Sequence, residues 1–154
     1  MVSSVKKRTA KRVAKCLLLG LVVVANSAVY AGERLKHYPI ADALMREQSK
    51  SKLGSLVKFY FAGQDTAKTL QQFGPVATNK KTNAFNKSDL EACQSVFLSA
   101  LIAFKERAKR EGANAVINIQ SSEKTDNNPT TFECHLGKFV ASVALRGEVV
   151  RLID

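Results

Sequence analysis

Residues 88–112, SDLEACQSVFLSALIAFKERAKREG, constrain the fold more than any other stretch of the chain. Ser88 followed three residues later by Glu91 is a capping box, in which a hydroxyl accepts an orphan backbone N–H at a helix start. Asp89 adds negative charge at the positive end of the helix. From Leu90 onward Cys93, Val96, Phe97, Ala100, Leu101, Phe104 and Ala108 recur at helical spacing. Lys109 and Arg110 suit the negative C-terminal end, and Gly112 stands where a left-handed residue closes a helix. Such a helix is about 34 Å long. Its apolar stripe requires a second layer to cover it.

The second layer is predicted to be a sheet. After Gly112, the side chain of Asn114 is expected to close the turn. Ala115, Ile117 and Ile119 then alternate as one face of a strand. Residues 131–136 and 138–145 read as two more strands separated by Gly137, with Phe139, Ala141, Val143 and Leu145 on a shared face. The closing RGEVVRL is another strand or a continuation. Before the helix, residues 56–62 alternate as a strand and residues 76–78 form a weaker one. Pro39 opens a short helix that ends near Gly54, and residues 32–38 read as a polar lead-in. The expected fold is α+β: one long helix packed on a mostly antiparallel sheet of about four to five strands, plus a short N-terminal helix. The strands flanking the long helix are candidates for a parallel pair.

The N-terminus reads as an export signal. Six basic residues, Lys6 to Lys15, precede the apolar run CLLLGLVVVA, and VYA ending at Ala31 offers small residues for cleavage. The run is much shorter than the roughly 20 residues needed to cross a bilayer. Residues 1–31 are therefore expected to be a signal peptide, with an uncleaved anchor as the alternative. Residues 32–154 form a single domain that is periplasmic or secreted. The whole chain carries +11; without the leader, 18 Lys plus Arg face 13 Asp plus Glu, or +5. That balance points away from a dedicated nucleic-acid binder.

Two cysteines, Cys93 and Cys134, follow the leader. In an exported chain such a pair reads first as a disulfide, and both positions point toward the same core. Two free thiols, or a metal site with His135, are the alternatives. His135 has opposite strand parity to Cys134, which counts against the metal. No cofactor is expected. GQDTAKT at residues 63–69 lacks the second Gly of a phosphate-binding loop. No nucleophile elbow occurs, and Cys134 and His135 face opposite ways on a strand. The expected function is non-catalytic binding. An enzyme whose site forms only in three dimensions, drawing on His37, Asp42 or Asp65, is one alternative; a self-assembling structural protein is another. The segment before the long helix supplies a basic contact loop, Lys80, Lys81, Phe85 and Lys87. It suits an anionic envelope surface or an acidic patch on an envelope protein, and the plain alternative is a solvated loop.

The stretches VKFYFAGQ, TNKKTNAFNKSDLEAC, ERAKREGANAVINI and FECHLGKFVASVALRG resemble a family of small exported proteobacterial proteins that carry the label excinuclease ATPase subunit. The chain has neither the Walker motifs nor the zinc-binding cysteine pairs that this label implies. A more distant similarity, through the long helix running into GANAV, is to YbjQ-type domains and the core of the Rcs envelope-stress lipoprotein. That similarity implies a layered α+β domain with a sensing or protein-contact role at the cell envelope.

Overall fold

The computed structural model describes residues 32–123 and 128–153. The expected signal peptide and its cleavage point at Ala31 lie outside the described residues. The elements in chain order are β1 (Arg34–Pro39), α1 (Ile40–Met45), α2 (Glu47–Leu53), β2 (Lys58–Phe61), β3 (Thr69–Asn83), α3 (Asp89–Glu111), β4 (Ala115–Ser121), β5 (Thr131–Leu136) and β6 (Val140–Leu152).

These strands form one six-stranded sheet, and β6 is its spine. Along one edge β6 pairs antiparallel with β3 from Thr69↔Leu152 to Asn83↔Val140. On the other side β5 takes Ala141 and Ser142 while β4 takes the stretch from Leu145 to Val150. Beyond these, β1 pairs antiparallel with β5 and β2 pairs parallel with β4. One strand that serves three neighbours must bend between them, so the sheet curls.

This architecture corrects the expectation of one helix on a four-to-five-strand, mostly antiparallel sheet. The sheet is mixed, has six strands and holds more residues than the three helices, of which only α3 is long. Two segments account for the difference. Residues 34–38, read as part of a lead-in, form β1 together with Pro39, which was expected to open the helix, and residues 69–83, read mainly as a polar loop, are β3. Gln, Asn, Lys, Gly and Pro are poor strand formers. Here backbone pairing along the whole of β6 overrides that preference. The expected helix of residues 39–54 is split, because Arg46 adopts an extended conformation with ψ 137° between α1 and α2.

The long helix is held at both ends by local bonds. The Ser88 hydroxyl accepts the Glu91 N–H at 3.1 Å. At the other end Gly112 is left-handed, with φ 69°. The N–H groups of Gly112 and Ala113 bond the carbonyls of Lys109 and Ala108 at 3.2 and 2.9 Å. That pair of bonds is a Schellman closure. The stripe of α3 lies against β3 and β6, with Phe97 stacked 4.1 Å from Phe132 and 6.2 Å from Phe61. Cys93 and Cys134 are joined within this core, with their Cα atoms 5.8 Å apart. The described core residues run from Ile40 to Leu152. Among the described residues, no helix is long and apolar enough to cross a membrane.

Two details of β4 differ from the expected pattern. Asn118 has φ 53° and starts a bulge in which Asn118 and Ile119 together oppose Gly147. The extra residue reverses parity. Val116 and Ile119 therefore face the main core, while Ala115 and Ile117 pack on the opposite face with Val150 and Leu152. The side chain of Asn114, expected to close the turn after Gly112, reaches across to the end of β6. It behaves as an added peptide group of the strand, accepting the Leu152 N–H at 2.7 Å and donating to the Leu152 carbonyl at 3.0 Å.

Candidate functional site

At one end of the β3–β6 pair, two turns meet. The first links β3 to α3. In it the Phe85 N–H donates to Asn83 Oδ1 at 2.8 Å, Asn86 is left-handed with φ 58°, and the Lys87 N–H bonds the Ala84 carbonyl. The second turn, residues 137–139, links β5 to β6 and is closed by the Gly137 N–H on the Val140 carbonyl at 2.8 Å. A bond of 2.8 Å from the Ala84 N–H to the Phe139 carbonyl staples the two turns together.

The staple places two phenylalanines side by side in solvent. Phe85 is 60% exposed and Phe139 52%, with ring centroids 6.3 Å apart, and Val140 beside them is 44% exposed. Large apolar groups are normally withdrawn from water, so this exposed cluster, held by backbone bonds, is a candidate contact surface. Lysines adjoin it. The Lys138 ammonium lies 5.2 Å from the centre of the Phe139 ring. Lys81 shares an open recess with Phe139 and Val140, and Lys87 belongs to the Phe85 turn. Among the described residues no carboxylate pairs with Lys81, Lys87 or Lys138.

The expected contact loop is thus partly reassembled. Lys81 and Phe85 both adjoin Phe139 and Lys87 follows in the Phe85 turn, whereas Lys80 lies opposite Val143 on the core-facing side of β3. Alternation groups Phe139 on one strand face with Ala141, Val143 and Leu145. Phe139 precedes the strand and joins the exposed pair instead, while Ala141, Val143 and Leu145 are buried. Phe139, Val140 and Lys138 are the site residues that sequence reasoning missed. The signal was Gly137, a turn residue that puts its successors at a hairpin tip.

The first residue of α3 sits next to this surface. Asp89 accepts a bond of 2.8 Å from Lys36 and is also bonded by Arg34 at 3.2 Å. The hydrogen bond from Lys36, with the charge of Arg34, holds its carboxyl below the usual carboxylate range. This pairing ties β1 to the start of α3 and cancels the nearest negative charge.

A second concavity lies on the far side of α1. It is a groove of about 410 Å³ lined by Ile40, Leu44, Phe59, Phe61 and Pro129, among others. Among the described residues none of the side chains lining it titrates, and neither His37, Asp42 nor Asp65 is among them. A smaller cavity beside it reaches the buried Glu133, whose carboxylate lies 3.5 Å from His37. Glu133 also has its N–H bonded to the Ser121 hydroxyl at 2.9 Å. Among the described residues no cluster of three His, Cys, Asp or Glu side chains is arranged to hold a metal. Cys93 and Cys134 bond each other, and His135 stands between Glu33 and Glu123 at 3.3 and 3.6 Å.

No protein-family model matches the chain, and no curated protein does either.

Proposed function

We propose that this chain is a non-catalytic binding domain of the cell envelope. In this reading it is exported by the leader, cleaved near Ala31, and works through the Phe85–Phe139 surface. The observation that carries the reading is the staple between the two turns, which holds both rings exposed against the hydrophobic effect. Export is supported by the basic and apolar N-terminal pattern and by the Cys93–Cys134 bond, which suits an oxidising compartment. The similarity to envelope-stress domains points to the same setting.

The test is site-specific photo-crosslinking in living cells. A photoreactive residue is placed at Phe85, at Phe139, at Leu44 in the groove, and at Leu70 at the other end of β3. Adducts concentrated at positions 85 and 139 are the expected result. Adducts mainly at Leu44 would move the binding site to the groove and refute the reading.

A further inference from the structure

Building on the binding role proposed above, we infer that the Phe85–Phe139 surface docks on an anionic lipid bilayer. Three observations converge. The first is shape. The rings and Val140 crown two adjoining turns at the end of a sheet, and the recess beside them is shallow and open. A projecting apolar tip fits the boundary between headgroups and acyl chains, which has no fixed shape to match.

The second is the arrangement of charge. Lys138 lies over the Phe139 ring, Lys81 lines the recess with Phe139 and Val140, and Lys87 follows in the Phe85 turn; their long stems allow the ammonium groups to stay at headgroup level while the rings enter. The adjacent acids are Asp89 and Glu91. Asp89 is neutralised by Lys36 and Arg34, so the end of the molecule keeps a net positive charge. Each lysine near an anionic leaflet strengthens binding about fivefold, and three together give about 100-fold.

The third is polarity along the molecule. Leu70 and Ile153 are the exposed apolar residues at the other end of the β3–β6 pair. The length of β3 separates the two ends, at most about 45 Å along the strand at the usual rise. Those residues supply an internal control on the same sheet.

The experiment is co-sedimentation of the oxidised chain, residues 32–154, with vesicles of phosphatidylcholine alone or mixed with phosphatidylglycerol. The chain is expected to sediment with the phosphatidylglycerol vesicles, to bind pure phosphatidylcholine far more weakly, and to be released by salt. The triple change Lys81→Gln, Lys87→Gln, Lys138→Gln should weaken binding about 100-fold. The double change Phe85→Ser, Phe139→Ser should weaken it at least about tenfold, and Leu70→Ser should leave it unchanged. All these positions are exposed or in turns, and circular dichroism checks that each variant folds. Equal binding to both vesicle types, or binding that survives the lysine and phenylalanine changes, would overturn the inference. If anionic vesicles do not bind while in-cell crosslinks still concentrate at positions 85 and 139, the partner is a protein. The lipid inference then falls and the binding role stands. If the crosslinks also fail to concentrate there, the binding role falls with it.

Discussion

Gly147 faces the bulge in β4 with no room for a side chain. A Cβ at this position would lie 3.0 Å from the Ile117 carbonyl, 3.2 Å from Val116 Cγ1 and 3.3 Å from Ile119 Cγ1. Gly147→Ala is therefore expected to destabilise the fold by about 1–3 kcal/mol, the usual cost of overpacking. Urea unfolding measures it, with Gly137→Ala as the control, where the nearest atom is an ordinary 3.5 Å away. Gly112 is constrained differently. Its φ of 69° is left-handed, and its carbonyl accepts both Nε and Nη2 of Arg151. Gly112→Val should cost about 1–2 kcal/mol through the left-handed penalty, read in the same unfolding assay. The turn at Gly112 could be read from the sequence because helix closure is a local pattern. The bulge at Asn118 could not, since AVINI fits uninterrupted alternation. The tolerance of Asn for left-handed backbone was the only hint.

Elements that make their own case were legible, and elements that borrow it from a neighbour were not. The caps and apolar stripe of α3 are internal to the segment, so the sequence displays them. By contrast, β3 is an edge strand whose polar residues reach water, and only its pairing with β6 makes it extended. The same holds for β1 against β5. Tertiary links then hold these elements together. The Cys93–Cys134 bond closes a separation of 41 residues and ties α3 to β5. Replacing both cysteines with Ala should lower stability by about 2–5 kcal/mol, seen as a lower urea midpoint. The link through Asp89 is sensitive to acid. Because its carboxyl is held below the ordinary value in the folded chain, the link contributes fully above the unfolded carboxylate pKa. Its contribution fades as pH falls through the lower, folded pKa. An Asp89→Asn variant should accordingly lose stability relative to the parent at neutral pH and converge with it in acid, as followed by thermal unfolding across that range.

At the scale of the whole molecule, the contact surface is a product of topology. Phe85 and Phe139 belong to different turns, which the pairing of Asn83 with Val140 and the Ala84–Phe139 backbone bond bring together. Sequence reading could find the basic segment around Phe85 but could not give it a partner. Nor could it show that Lys80 and Lys81 face opposite sides of a strand. The curled sheet fixes both rings on one end and, among the described residues, leaves the groove beside α1 without a titratable side chain. The most direct measurement of where this molecule makes contact is amide chemical-shift mapping of residues 32–154 on addition of phosphatidylglycerol bicelles. The account predicts that perturbations cluster at residues 83–88 and 137–142, with residues 62–64 and 69–74 unmoved. Dominant shifts in the groove, or shifts spread evenly over the domain, would contradict it.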